Sequence, residues 1–396
     1  MKTNILVTGL VLATVGTVLI YPTIRSDAAG TPPPRNVIAP LAAKRVQVVF
    51  VLDTTGSMGG LIHAAKEKIW SIASTLAQAQ QAPEISMGLV AYRDRGDAYV
   101  TQVIDLNRDL DSMYAKLMDF AADGGGDGPE AVNEALEAAI HSMSWSQDPN
   151  TYKVVFLVGD APPHMDYQDD VKYPQVVAAA AAKGIVINTI QCGSMSDTVA
   201  PWRHIASLGS GRYFTVEQAG SAVAIETPFD AQIATLAAQL DATRVYYGSP
   251  EQRAAMEAKV DATERLNDEA SVTVRARRGA FNVSESGAGN FLGEQELVAD
   301  VASGRVDIAA VPAAELPPAL AGLPPDAQRA LLTETAQKRE QLQRQIASLA
   351  AERDGYIKEE LEETGGADAS LDQQIYEAVR EQAAPLGLDY ENGPRF

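Results

Sequence analysis

One short segment of the sequence places oxygen-bearing side chains at alternate positions. Asp53, Thr55 and Ser57 follow directly after an apolar run at residues 46–52. Oxygen ligands at positions i, i+2 and i+4 of a tight loop can converge on one hard cation, and Gly56 gives the loop freedom to turn. The segment therefore predicts a metal-binding loop at the end of a strand, with a simple turn and helix N-cap as its alternative.

Two further carboxylates stand in similar surroundings. Asp127 lies in the glycine-rich segment GGGDGPE, residues 124–130, and Asp160 comes shortly after the apolar run at residues 154–158. Pro129 suits the first position of a helix, whose positive end would favour the ionised form of Asp127. Asp127 is predicted to bind the same cation, with a plain helix cap as its alternative, and Asp160 to act directly or through water.

The elements that would position these residues alternate between strands and helices. Most predicted strands are apolar along nearly their whole length, which is typical of strands buried on both faces of a parallel sheet. The predicted fold class is α/β, a doubly wound and mostly parallel sheet, assigned to residues 45–243. Strands are predicted at residues 46–52, 85–92, 98–106, 154–158, 185–191 and 212–216, and helices at residues 61–80, 110–120, 129–143, 174–183, 202–208 and 228–243.

The three loops are expected to meet at one edge of this sheet, because ligands of such sheets bind beyond the carboxyl ends of the strands. Three carboxylates in one place repel one another, and a divalent cation would remove that cost. Since every donor is oxygen, Mg²⁺ is the expected metal, with Mn²⁺ or Ca²⁺ as alternatives and Zn²⁺ disfavoured. The predicted ligands are Asp53, Thr55, Ser57, Asp127 and Asp160.

These segments also carry a family resemblance. FVLDTTGSM resembles the D-x-[ST]-x-S start of the metal-ion-dependent adhesion site (MIDAS) of von Willebrand factor type A domains, with Asp53, Thr55 and Ser57 at the matching positions. GGGDGPE resembles the second loop of that site and VGDAPPH the third, and the resemblance covers residues 45–218. Integrin-type domains carry threonine in place of Asp127, and GGGDxPE resembles the hemicentin-like branch. The resemblance implies a binding protein and not an enzyme, whose metal accepts a carboxylate of a protein or other acidic ligand.

Two other functions stay open as alternatives. Asp53-x-Thr55 is similar to the D-x-D start of phosphatases of the haloacid dehalogenase type, but Thr55 replaces the aspartate that acts there as general acid and base. The sequence contains neither a G-x-x-x-x-G-K-[ST] phosphate loop nor the G-x-S-x-G elbow of serine hydrolases. A metal-dependent phosphatase or hydrolase is thus one alternative, and a regulatory partner of an ATPase complex is the other.

Residues 1–29 are predicted to be a signal peptide or a membrane anchor. Lys2 gives a basic start, residues 5–21 carry no charge, and Ser26 and Ala28 have the spacing of a cleavage site. The uncharged run is long for a signal peptide and short for a spanning helix, so both alternatives stay open. With a proline-rich linker at residues 30–44, we expect an exported protein that is periplasmic, secreted or anchored to the outer face of the cytoplasmic membrane.

The chain is strongly acidic, with a formal net charge of −20 over 396 residues. Such a charge disfavours nonspecific binding of nucleic acid or of an anionic lipid surface. The one cysteine, Cys192, excludes an intramolecular disulfide. Its mostly apolar surroundings predict a buried thiol.

Residues 244–396 are assigned to a mainly helical C-terminal region whose role, like the oligomeric state, the sequence does not define. A small hairpin is predicted at residues 272–277 and 280–284, and an irregular segment at the proline-rich residues 310–325. The charged residues 326–364 are predicted to form one long helix. This helix is expected either to form a surface for a partner or to pack on its own chain.

Other segments near the predicted site have ordinary structural interpretations. His164 is expected at the rim of the site, and the Arg95-Gly96-Asp97 tripeptide is interpreted as a chance match to an integrin-recognition sequence. A solvated acidic loop is predicted at Asp166, Asp169 and Asp170.

Overall fold

The computed structural model describes residues 44–60, 62–126, 128–216, 225–363 and 370–390. The predicted signal or anchor segment, nearly all of the proline-rich linker and Asp127 lie outside the described residues. Every described residue belongs to one compact unit, Ala43–Phe396. In this described part of the chain, no helix is both long and apolar enough to cross a membrane.

A six-stranded sheet forms the centre, built from β1 (Arg45–Asp53), β2 (Glu84–Tyr92), β3 (Thr101–Asn107), β4 (Tyr152–Gly159), β5 (Ile185–Cys192) and β6 (Ser210–Val216). The strand order is β3-β2-β1-β4-β5-β6. All neighbouring strands pair in parallel except the edge strand β3, which is antiparallel to β2. The strand order reverses between β1 and β4, where doubly wound sheets bind their ligands. The predicted fold class is confirmed.

Alternate residues of the central strand face two separate layers. Val48 and Phe50 of β1 belong to one apolar core, and Val49 and Val51 belong to the other. A strand buried on both faces requires apolar residues at successive positions, which explains the apolar run in the sequence. The first face is covered by α1 (Ile62–Leu76) and α2 (Leu110–Met118), and the second by α3 (Val132–His141), α4 (Tyr173–Ala182) and α5 (Ser196–Leu208).

The remainder of the described chain is helical. After α6 (Asp230–Asp241) come α7 (Pro250–Glu269), α8 (Val272–Asn282), α9 (Ala288–Leu292), α10 (Leu297–Ala302), α11 (Pro318–Ala321), α12 (Pro325–Glu363) and α13 (Leu371–Ala383). The prediction of a wholly irregular segment at residues 310–325 is therefore too simple, because α11 lies within it.

The predicted hairpin is wrong, because its residues form the single helix α8. Ser271 caps this helix by accepting a hydrogen bond from the Val274 amide at 3.1 Å. Gly279 does not mark a turn: a side chain there would place its Cβ 2.9 Å from the Cβ of Ala237 on α6. The glycine thus permits two helices to approach closely, and tertiary packing overrides the strand tendency of the valines.

The C-terminal helices pack against the sheet domain and against each other. Leu342 and Ile346 of the long helix α12 share an apolar core with Ile233 of α6, so this helix packs on its own chain. On α13, Asp372 accepts hydrogen bonds from Lys68 and Ser71 of α1, at 2.6 and 2.5 Å. The helices after residue 243 therefore complete the cover of the first face of the sheet.

Candidate metal centre

Asp53 ends β1 and is completely buried. Its Oδ1 accepts a hydrogen bond from the Thr55 amide at 2.9 Å and another from the Thr55 hydroxyl at 2.6 Å. These two bonds fold the chain back on the carboxylate directly after the strand. They leave its Oδ2 with no hydrogen-bond partner among the described residues.

A chain of short contacts links this loop to the next strand in the sheet. The hydroxyls of Thr55 and Ser57 lie 3.1 Å apart, and the Ser57 hydroxyl donates to Oδ1 of Asp160 at 2.9 Å. Asp160 directly follows β4, which pairs with β1. The structure thus brings together four of the five predicted ligands, Asp53, Thr55, Ser57 and Asp160. The fifth, Asp127, lies outside the described residues.

The glycine-rich segment before Asp127 lies directly against the first loop. The Gly56 amide donates to the Gly124 carbonyl at 3.1 Å. Gly125 has a φ of +75°, and a Cβ on it would lie 3.3 Å from the Cβ of Thr55 and 3.0 Å from Oε1 of Glu130. Glycine at this position therefore satisfies a left-handed backbone and a close approach together.

Two residues that the sequence analysis did not select complete the cluster. Tyr92 ends β2 in register with Asp53, and its fully buried hydroxyl has no hydrogen-bond partner in the described structure. Glu130 precedes α3, and its buried Oε2 likewise has no partner in the described ranges. The sequence did signal Glu130, which is the last residue of GGGDGPE. Tyr92 could be found only from the register of β2 with β1.

Burial makes the negative charges of this cluster costly. It raises the pKa of Asp53 to about 7 in spite of the two hydrogen bonds from Thr55. Burial, together with the nearby Asp53, Asp94, Asp97 and Asp160, raises the pKa of Glu130 to about 9. The pKa of Asp160 is also raised by burial. Without a bound cation, the cluster therefore retains protons near neutral pH.

The donor set mixes carboxylates with hydroxyls. Within the described ranges, no three His, Cys, Asp or Glu side chains lie close enough to hold a metal by themselves. A cation here would therefore need Thr55, Ser57, Asp127 or water as additional oxygen ligands. The unpartnered Oδ2 of Asp53 and Oε2 of Glu130 have the chemistry that such an ion requires.

The loop that follows Asp160 corrects two interpretations. His164 is buried and does not lie at an exposed rim: its Nδ1 is 2.8 Å from Oδ1 of Asp166, and its ring stacks on Tyr167 at 4.0 Å. The loop is not fully solvated either. The carboxylate of Asp170 is buried and accepts a hydrogen bond from Asn133 at 2.9 Å.

The tripeptide at Arg95 makes contacts within the chain. Arg95 forms ion pairs with Glu134 at 2.7 Å and with Asp169 at 2.6 Å. Asp97 accepts a hydrogen bond from the Gly125 amide at 2.9 Å. Both charged residues thus position the loops around the cluster.

The family model of the von Willebrand factor A domain matches residues 47–228. The chain contains a von Willebrand factor A domain. Such domains are typically metal-dependent protein-interaction modules and are generally not enzymes. Apart from the first two residues of β1, the sheet and the loops described above lie within the matched range.

Proteins with curated descriptions resemble part of the chain. It is 38% identical to von Willebrand factor A domain-containing protein 7 of Rattus norvegicus, over 29% of this chain and 12% of that protein. It is 31% identical to alpha-protein kinase vwkA of Dictyostelium discoideum, over 31% of this chain and 19% of that protein. The chain spans less than a fifth of the length of these relatives.

Solved structures also resemble part of this chain. One is a von Willebrand factor type A protein from Catenulispora acidiphila, at 18% identity and a TM-score of 0.33, covering 45% of this chain and 40% of that one. Another is the SpRpn10 VWA domain, at 15% identity and a TM-score of 0.34, covering 44% and 89%. A third is mussel proximal thread matrix protein 1 with a zinc-occupied MIDAS motif, at 17% identity and a TM-score of 0.35, covering 45% and 43%.

Proposed function

We propose that this chain is a binding protein whose von Willebrand factor A domain holds a divalent cation and recognises an acidic group of a partner protein through it. The ligands proposed are Asp53, Thr55, Ser57, Asp127 and Asp160, in a MIDAS of the hemicentin-like type. The observation that carries the proposal is the buried Oδ2 of Asp53, which has no hydrogen-bond partner among the described residues.

A cation accounts for this cluster better than a set of protons. Buried polar atoms nearly always have a partner, yet Asp53, Tyr92 and Glu130 each have a buried oxygen without one in the described structure. Protonation would remove the charge of a carboxylate but would add a donor that also needs an acceptor. A divalent ion would satisfy the carboxylate oxygens and balance their charge together. Because the donors are all oxygen, we favour Mg²⁺ over Mn²⁺ or Ca²⁺.

The arrangement does not favour hydrolysis. Beside Asp53, where the phosphatases of the haloacid dehalogenase type have a second aspartate, Thr55 uses its hydroxyl to donate to Asp53. That hydroxyl cannot act as the general acid and base. We also propose that the domain acts outside the cytoplasm, on the strength of the uncharged run at residues 5–21 and the basic Lys2.

The cation site can be tested by calorimetric titration of the full-length protein with Mg²⁺, Mn²⁺ and Ca²⁺. Asp53→Asn keeps the size of the side chain but removes its charge, and we expect it to abolish most of the binding. Asp261→Asn, an exposed position on α7, is the matched control and should bind as the wild type does. Unchanged affinity in Asp53→Asn would overturn the site assignment.

The partner chemistry requires a second measurement. Capture of partner proteins on the immobilised chain should depend on added Mg²⁺ and disappear with a chelator. The captured partner should lose binding when its acidic contact residue is changed to the amide. Capture that is indifferent to the chelator would contradict a metal-mediated contact.

A further inference from the structure

A cavity of about 670 Å³ lies at the amino-terminal end of the sheet. Its walls are the loop between α3 and β4, the C-terminal end of α4, and Leu386. Lys153 near the start of β4 lines it, whereas Asp160 follows the other end of that strand, roughly 20 Å away at about 3.3 Å per residue. This cavity is therefore separate from the proposed cation site and does not depend on it.

We name it the lysine cavity and define it by Trp145, Lys153, Ala182, Lys183, Gly184 and Leu386. Apolar side chains, among them Trp145, Met143 and Leu386, line the cavity. Lys153 and Lys183 also line it and provide positive charge. No acidic side chain in the described ranges lines it.

The lysines around this cavity hydrogen-bond to neutral carbonyl groups. Lys153 is 6% exposed, and its ammonium donates to the carbonyls of Ser146 at 3.2 Å and Lys183 at 2.5 Å. Lys183 donates to the Ile140 carbonyl at 2.7 Å. Lys44 donates at 2.7 Å to the carbonyl of Leu386, which lines the cavity. Three cations thus gather at the amino-terminal end of the sheet, in a protein whose net charge is −20.

These carbonyls balance the charge only in part. Two of them, on Ile140 and Lys183, lie at C-terminal ends of helices, where the partial charge is about half an elementary charge. Burial lowers the pKa of Lys153, and the charge of Asp148 opposes that effect. Asp148 itself accepts hydrogen bonds from Asn150. The buried ammonium of Lys153 would therefore gain from an anion placed in the cavity.

We propose that the lysine cavity binds a small anion with an apolar body, in which a carboxylate or a phosphate monoester is joined to a ring. The oxyanion would lie beside Lys153 and Lys183, and the ring would contact Trp145 and Leu386. The volume of the cavity accommodates a ligand of this size.

The three tryptophans of the chain provide the measurement. In nitrogen–proton correlation spectra of the full-length protein, the indole signal of Trp145 should shift in a saturable way on addition of naphthoate or naphthyl phosphate. Trp70 and Trp202 lie in the cores away from the cavity and serve as internal references. Neutral naphthamide has the same ring without the charge and should bind roughly tenfold more weakly or worse.

Two variants locate the site. Ala182→Trp starts from an exposed position, fills the cavity and should abolish the shift without disturbing the core. Lys153→Met keeps the bulk of the stem and should weaken binding of the anions about tenfold while leaving naphthamide unchanged. Lys358→Met, with 72% of its side chain exposed on α12, is the control.

The relative affinities of naphthoate and naphthyl phosphate identify the headgroup that the cavity prefers. The proposal is overturned if naphthamide binds as tightly as the anions, if Trp145 shows no saturable shift at about millimolar ligand, or if Ala182→Trp binds like the wild type. Because Ala182→Trp and the neutral probe do not alter Lys153, the test stands even where Lys153→Met fails to fold.

Discussion

Asp53 is placed where its ionised form is unfavourable in the absence of a cation. Its side chain is fully buried, and one of its oxygens has no hydrogen-bond partner among the described residues. Thr55 donates two hydrogen bonds to the other oxygen. A buried carboxylate with an unpartnered oxygen reduces the stability of the cation-free protein and increases its affinity for a cation.

The raised pKa values predict how cation binding depends on pH. Asp53 and Glu130 have pKa values of about 7 and about 9 in the folded, metal-free protein. A cation must displace the protons that these groups hold, so its affinity should rise with pH across this interval. Calorimetry in two buffers of different ionisation enthalpy would measure the protons released. An affinity that stays constant from about pH 6 to pH 9 would contradict the account.

The same two pKa values determine whether the cation-free protein gains or loses folding stability as pH rises. The unfolded chain loses these protons near its ordinary pKa values, whereas the folded chain retains them to higher pH, so the metal-free protein should lose stability as pH rises from about 4 towards 9. With saturating cation, the carboxylates of the folded protein are ionised. The urea concentration at the midpoint of unfolding should then no longer fall as pH rises.

At the scale of elements, Gly159 determines how closely β4 can approach the cluster. A Cβ on this residue would lie 2.5 Å from the Tyr92 hydroxyl, 2.8 Å from the Cβ of Asp53 and 2.9 Å from its Oδ2. All of these atoms are buried, so no flexible side chain can move aside. The last residue of β4 must therefore be glycine for Asp53 to occupy its position.

Gly159→Ala should destabilise the protein by about 1–3 kcal/mol, because overpacking displaces the buried side chains. It should also weaken cation binding, since Asp53 must move. Gly355→Ala is the control: it lies within helix α12 with nothing within 4 Å of an added Cβ, and should be neutral or stabilise by up to about 1 kcal/mol. Urea unfolding of both variants measures the difference, and equal stabilities would show that β4 adjusts freely.

The sequence predicted most strands of the sheet because both faces of the central strands are buried, and continuous apolar runs mark them. It also brought Asp53, Thr55, Ser57 and Asp160 to one edge, since parallel strands end together there. It could not provide Tyr92, whose position depends on the pairing register of β2 with β1. The residues of α8 were predicted as a hairpin because their valines favour strands locally. Their packing against α6 stabilises a helix instead.

At the scale of the whole molecule, a buried ion-pair network joins the sheet domain to the C-terminal helices. Arg278 of α8 is fully buried and donates to Asp111 of α2, at 2.6 and 2.7 Å, and to Asp241 of α6, at 2.7 and 3.0 Å. Although burial alone would raise the pKa of Asp111, the charges of Arg278 and Lys259 hold it well below its usual range. The three helices are thereby fixed to one another.

Arg278→Met should destabilise the protein by about 3–5 kcal/mol at neutral pH, because it removes the cation that two buried carboxylates share. Lys259 and Arg244 remain, but each lies 3.7 Å from its carboxylate. Once the guanidinium is removed, burial favours the protonated form of these carboxyls in the folded variant. They then take up protons at a higher pH than in the wild type, so the stability deficit relative to the wild type should narrow as pH falls. Arg344→Met, with 71% of its side chain exposed, should change stability by no more than about 0.5 kcal/mol. Urea unfolding at about pH 7 and pH 4 tests both statements, and a pH-independent deficit would contradict them.

The contact between Lys68 and Asp372 joins residues 304 positions apart in the chain. A second contact of α13 also spans a long stretch of sequence: the Tyr152 hydroxyl donates to Gln382, across 230 positions. A ribosome must therefore synthesise the chain as far as α13 before this helix can cover α1 and the sheet. Contacts of such long range also fold slowly.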